Sequence, residues 1–302
     1  MIPERYLLYL DILGFSELAR KPERVLDLYR IIDGLNVHRH DAFQSIVFSD
    51  TLLVYNIDQP RDAYGRHCHV MFLAEFAQDL LYRLIGRDYY FRAILTSGEF
   101  LHHRLTNVQA FFGQALIDAY RHEKELIGCG LFIDTKLLAD NHIFPTRRYC
   151  DRYHYVFLTQ DIQRASEYGR FGFPFAGEIL DATTMTFPTY AQLVFLMDIY
   201  RKATEHPDPR VRAKFQATWT LYELQHSSLC ATLRDSEFDF SAIATADWKA
   251  AKEHFEKELQ SDYYKFSANK ALQPTTASLP APGAFGNSSA ASPSTGAPGG
   301  CG

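Results

Sequence analysis

The sequence predicts an α+β fold: a ferredoxin-like core with an antiparallel sheet, followed by a helical C-terminal extension. Two observations carry this. Apolar runs of strand length, Tyr6–Leu10 and Tyr89–Ser97, bracket two stretches whose apolar residues recur at helical spacing. Between those stretches, Ala42–Phe48 and Thr51–Ile57 read as strands separated only by Ser49-Asp50, a hairpin turn. The order strand, helix, hairpin, helix, strand is that of a plait.

Taken in order, Tyr6-Leu7-Leu8-Tyr9-Leu10 is the first strand, closed by Asp11. A helix is expected over Ser16–Leu35, with Leu18, Val25, Leu26, Leu28, Tyr29 and Ile32 as its apolar face. After the hairpin, Tyr64–Ile85 repeats the helical period through Val70, Phe72, Leu73, Phe76, Leu80 and Leu84. The strand Tyr89–Ser97 ends at Gly98. Gly113–Arg121 reads as a helix running on through Glu125, and Gly130–Ile133 and Tyr153–Leu158 as strands that extend the sheet. Tyr190–Leu233 is helical with a break at His206-Pro207-Asp208-Pro209, and a last helix over Asp247–Leu259 starts from Thr245 or Asp247 as its cap. These elements divide the chain into an α+β domain (1–185), a mainly helical extension (186–268) and a tail (269–302). From Ala271 onward there is no charged residue and Ala, Pro, Ser, Thr and Gly dominate, so the tail is expected to be disordered.

Composition narrows the function classes. At 302 residues, 47% hydrophobic and 22% charged, the chain reads as an ordinary soluble protein with room for a large core. A net charge of −5 argues against general affinity for nucleic acid or anionic membranes. Five cysteines, odd in number and without paired spacing, suggest reduced thiols. No leader and no membrane-length apolar run is read, so a cytoplasmic protein is expected.

Asp11 and Asp50 are the candidate functional residues. Each ends or interrupts an apolar strand, where an unpaired carboxylate is costly to bury. Singly, Asp11 reads equally well as a helix cap and Asp50 as a turn residue. The plait topology joins them: its first strand lies beside the third and runs opposite to it, so the end of one meets the hairpin tip of the other. Between them Ile12-Leu13-Gly14-Phe15-Ser16 forms a turn with free backbone N–H groups, and carboxylates beside such a turn are what divalent-metal nucleotide chemistry requires. Arg92 reads as a phosphate contact or as a structural ion pair. The histidine pairs His38/His40, His67/His69 and His102/His103 lack convergent acids and read as solvated rather than zinc-binding.

Four segments, in order, resemble the class III nucleotidyl cyclases: Asp11-Ile12-Leu13-Gly14-Phe15, Phe48-Ser49-Asp50, Arg92-Ala93-Ile94-Leu95-Thr96-Ser97-Gly98, and Gly113 through Ala119-Tyr120-Arg121. Within that superfamily they are most similar to the pyrimidine cyclases of bacterial Pycsar antiphage defence, and the resemblance covers roughly the first half of the chain. It implies that Asp11 and Asp50, with the carbonyl of Ile12, hold two Mn²⁺ or Mg²⁺ ions. It implies that Leu13, Gly14, Phe15 and Ser16 hold the β- and γ-phosphates through their N–H groups. Arg121 is implied to reach the reacting phosphate from a second protomer, giving a homodimer with composite sites. The implied reaction is conversion of UTP to cyclic UMP and pyrophosphate, the product switching on an effector downstream. Where purine cyclases carry polar residues that read the base, this chain has Ile46 and Ala110; Ile117 replaces their ribose-orienting asparagine. The late phosphate-binding lysine of the superfamily has no match. CTP as substrate, and a catalytically silent nucleotide sensor, are the competing expectations.

Overall fold

The computed structural model describes residues 2–181 and 186–260, so the expected tail, 269–302, lies outside the described residues. In chain order the elements are β1 (Glu4–Ile12), α1 (Phe15–Leu18), α2 (Pro22–Asp33), β2 (Phe43–Phe48), β3 (Thr51–Asn56), α3 (Ala63–Leu84), β4 (Phe91–Glu99), β5 (Leu101–Arg104), β6 (Gln109–Phe112), α4 (Gln114–Glu123), β7 (Gly130–Asp134), β8 (Thr146–Arg148) and β9 (Tyr153–Val156). Then follow α5 (Gln160–Tyr168), α6 (Glu178–Asp181), α7 (Thr186–Glu205), α8 (Pro209–Gln225), α9 (Ser227–Asp235) and α10 (Trp248–Gln260).

The sheet order is β2-β3-β1-β4-β7-β9-β8. Its first four strands, with α2 and α3, are the expected α+β plait, and β1 runs antiparallel to both β3 and β4. Tyr6 through Leu10 are all buried, as a central strand covered on both faces requires. Helix α3 packs Val70, Leu73, Phe76, Leu80 and Leu84 into the core, the face its spacing predicts.

Several elements differ from expectation. The helix expected over Ser16–Leu35 is two helices, because Pro22 lacks the N–H an interior position needs and instead starts α2 at its first turn. Leu26, expected on the apolar face, is 47% exposed. One junction of the sheet is parallel: β4 and β7 are joined through α4 as a crossover. The hairpin β5–β6 and helix α5 have no counterpart in the sequence reading. In the extension the break before Pro209 is where it was expected, and a second falls at His226, between α8 and α9. Asp247 is the cap of the last helix, its carboxylate accepting the Ala250 N–H at 2.9 Å.

The extension is part of one hydrophobic core rather than a loose appendage. Helix α8 is pinned at three points. Phe215 packs edge-on against Tyr90 at 4.8 Å, the Thr218 hydroxyl accepts the Cys129 N–H at 2.8 Å, and the Tyr222 hydroxyl bonds Thr159 at 3.0 Å. No helix among the described residues is long and apolar enough to cross a membrane.

Candidate active site

Sheet register brings the two aspartates together. Asp11 lies opposite Thr51 in the β1–β3 ladder, and the Ile12 N–H donates to the Asp50 carbonyl at 2.9 Å. Asp50 sits in the two-residue turn between β2 and β3, entered through Ser49 in the left-handed region at φ 56°. The Tyr29 hydroxyl of α2 donates to the Ser49 carbonyl at 3.0 Å and fixes the hairpin tip. Neither carboxylate accepts a hydrogen bond among the described residues. Burial, then the negative charges of Glu123 and Asp50, push the Asp11 carboxyl up to about 7, against the opposing pull of Arg92 and Lys214.

The turn after Asp11 depends on Gly14, whose φ of 75° is open to glycine at no strain. Its carbonyl accepts the N–H groups of Glu17 and Leu18, closing α1 as a single turn. The Leu13 N–H is already donated to the Tyr90 carbonyl at 2.8 Å, so it is not available to a ligand. That leaves the N–H groups of Gly14, Phe15 and Ser16 free among the described residues, at a helix start that offers one turn of orphan donors.

These residues line one open cleft of ≈ 490 Å³, within the range of small-ligand sites. Asp11, Ile12, Leu13, Gly14, Phe15, Ser16 and Asp50 all face it. The sequence reading missed Glu123, Lys124, Arg210 and Lys214, which complete its wall. Arg92 is at its floor, 4% exposed, and its role is structural. Its guanidinium binds the Glu123 carboxylate at 2.9 Å and the carbonyls of Glu123 and Gly128 at 2.5 and 3.1 Å. Lys124 donates to the Tyr120 hydroxyl at 2.6 Å. Arg210 and Lys214, one turn apart on α8, carried no signal in the sequence beyond an ordinary basic helix face.

Arg121 does not line this cleft. It is exposed on α4 and, among the described residues, makes no ion pair or side-chain hydrogen bond. Ile46, Ala110 and Ile117 also lie outside it.

Among the described residues no three His, Cys, Asp or Glu side chains gather as a metal cage. The donor set at the cleft is instead two carboxylates and backbone oxygen, the kind a hard cation uses when substrate phosphates supply its remaining ligands. The desolvated Asp11 carboxyl, beside two other acids and without a donor, fits a cation there. A separate slot lined by Leu84, Tyr90, Phe195 and Tyr222 holds only ≈ 20 Å³ of free space and no converging charges, so it is packing.

No protein-family model matches the chain, and no curated protein does. Among solved structures it is similar to the adenylyl cyclase CyaB from P. aeruginosa, at 11% identity over 51% of this chain and 93% of that one, TM-score 0.37. It is similar to the guanylyl cyclase domain of the RhoGC fusion protein from the aquatic fungus Blastocladiella emersonii, at 15% identity over 51% and 96%, TM-score 0.41. A third is the guanylate cyclase domain of RhGC from Catenaria anguillulae in complex with GTP, at 13% identity over 51% and 96%, TM-score 0.38.

Proposed function

We propose that this chain is a nucleotidyl cyclase converting UTP to 3′,5′-cyclic UMP and pyrophosphate, with each site completed by a second copy. One observation carries the reading. Asp11, a partly desolvated carboxylate at the end of β1, and Asp50 in the β2–β3 turn share a cleft with a glycine turn, and among the described residues both carboxylates are unpaired and the Gly14, Phe15 and Ser16 N–H groups are free. Such a pairing of acids with phosphate-type donors suits a triphosphate that arrives with divalent cations.

Asp11 and Asp50 would hold Mn²⁺ or Mg²⁺, which when bound lowers the pKa of a ribose hydroxyl and screens triphosphate charge. The chain's own part is positional. Gly14, Phe15 and Ser16 offer N–H groups to phosphate oxygens, and the hairpin hydrogen bond from Ile12 keeps Asp50 beside Asp11. The buried Arg92–Glu123 pair holds the end of α4 against the sheet beneath them. Arg121, exposed and without an ion pair or side-chain hydrogen bond among the described residues, is available to neutralise phosphoryl charge in a second copy's cleft. By the resemblance, Ile46 and Ala110 stand where purine cyclases carry base-reading polar residues; without those partners a purine's polar edge would cost about 1–3 kcal/mol for each group left unpaired, which favours a pyrimidine. The resemblance to Pycsar cyclases supports UTP over CTP and a messenger role in antiphage defence, with cyclic UMP acting on an effector.

The test is incubation of the purified chain with each of the four ribonucleoside triphosphates and Mn²⁺, with products identified by mass. Cyclic UMP is expected. Cyclic CMP alone would move the reading to a cytidylate cyclase, and cyclic AMP or GMP would reject the pyrimidine assignment. No product from any would favour a silent nucleotide sensor.

A further inference from the structure

Four cations line the cleft, and two are already engaged: Arg92 by Glu123 and Lys124 by the Tyr120 hydroxyl. Arg210 and Lys214 are the two that, among the described residues, make no side-chain hydrogen bond or ion pair. They stand one turn apart on α8, so both side chains lie on one helix face. Lys214 is half-buried and near enough to act on the charge of Asp11. Their position is fixed by packing. The next residue after Lys214, Phe215, stacks edge-on against Tyr90, and the Tyr90 carbonyl holds the Leu13 N–H of the glycine turn. The helix that carries the cations and the turn that carries the free N–H groups are therefore tied to the same residue.

We infer that Arg210 and Lys214 bind the terminal phosphates of the triphosphate in cis, so that the C-terminal extension is a working wall of the active site. This rests on the cyclase reading above for the identity of the substrate, but on the cleft alone for the polyphosphate. The carboxylates at the sheet edge, the cations on α8 and the turn with its N–H groups line the same cleft. A chain of phosphates with its cations satisfies both walls: hard cations at the acids, phosphate oxygens at the guanidinium and ammonium. Among the described residues nothing else pairs the exposed Arg210 guanidinium or the half-buried Lys214 ammonium.

Because the acids repel a bare polyanion, the cations are tested apart from them. The full-length Asp11→Asn/Asp50→Asn chain is titrated in EDTA with inorganic tripolyphosphate by calorimetry, with and without Arg210→Ala/Lys214→Ala. Binding by the first and a loss of about tenfold or more in the second are expected. Lys214→Arg, which keeps the charge, should retain binding, and thermal unfolding should show all variants folded. Equal binding with and without the cations, or no binding by the Asp→Asn chain, would overturn the inference. In the otherwise unaltered chain, Arg210→Ala/Lys214→Ala should lower kcat/KM for nucleotide by about tenfold or more, because the terminal phosphates depart as pyrophosphate and gain charge in the transition state. If nucleotide turns over with a kcat/KM indifferent to the two cations, this inference falls and the cyclase reading stands. If no nucleotide turns over but tripolyphosphate binding still needs the cations, the cyclase reading falls and the polyphosphate site stands.

Discussion

Helices α4 and α8 each present arginine near the sheet edge, and they differ in where those cations lie. Arg121 on α4 is exposed and outside the cleft, whereas Arg210 and Lys214 on α8 line it. A cation already in the cleft can act within its own chain. One outside it, as proposed for Arg121, would act in a second copy's cleft. On the proposed reading the two helices divide the site into a part that one chain supplies, sheet edge plus α8, and a part that needs a dimer, Arg121.

The largest effect that tests this division is loss of the sheet-edge acids common to both parts. Asp50→Ala should reduce cyclic nucleotide formation by about 10³-fold or more, since several kcal/mol of transition-state stabilisation depends on that carboxylate. Asp50 is half-buried in a turn held through the backbone carbonyls of Ser49 and Asp50, not through its carboxylate, so the variant should unfold at an unchanged temperature. Activity within tenfold of wild type would remove the acids from the chemistry.

Mixing experiments then split the two helices. An equal mixture of Asp50→Ala and Arg121→Ala chains should recover about a quarter of wild-type activity, because half the dimers are mixed and each has one intact site. An equal mixture of Asp50→Ala and Arg210→Ala/Lys214→Ala chains should recover none beyond its parents at low nucleotide, because acids and α8 cations belong to the same chain. Recovery in the second mixture and not the first would reverse the assignment of cis and trans.

The same division explains what the sequence reveals. Asp11, Asp50 and the glycine turn are legible because each interrupts a strand pattern: a charge or a left-handed residue where apolar periodicity would continue. The plait follows from the order of periods, and with it the meeting of Asp11 with the hairpin tip. Pro22 carried the signal that breaks the first helix, and the period of the flanking apolar residues masked it. Arg210 and Lys214 interrupt nothing. Basic residues one turn apart are the default for a solvated helix face, and only the packing of Phe215 on Tyr90 turns that face inward. Glu123 was hidden in the same way, its buried pairing with Arg92 depending on how α4 meets β4.

A smaller effect is expected at the turn between the two walls. Gly14→Ala would place a Cβ at φ 75°, where nothing of the chain lies within 4 Å, so the penalty is conformational rather than steric crowding. About 1–2 kcal/mol is expected, seen as a fall of about 2–6 °C in thermal midpoint. Unchanged stability would show that the left-handed turn is not required for folding and that its N–H groups can be rearranged freely.

The smallest effect, and the most direct probe of the balance between acids and α8 cations, is the stability of Asp11→Asn without metal. Burial and neighbouring acids raise the Asp11 carboxyl from 3.8 to about 7 in the folded chain. Between those values the folded state holds a proton that the unfolded state has lost, so stability falls as pH rises through this window. Below pH 4 both states are protonated and the penalty is absent; above pH 7 it is fully developed. Asparagine carries no charge at any pH. The variant should therefore be more stable than wild type at pH 8, by about 1 kcal/mol after allowing for solvent screening, a rise of about 2–4 °C, and the gain should vanish toward pH 4. Mn²⁺ should stabilise the wild type at pH 8 and leave Asp11→Asn unmoved. A variant less stable than wild type at pH 8 would mean that Lys214 already compensates the Asp11 charge, and would make the α8 cations partners of the acids rather than of a phosphate chain.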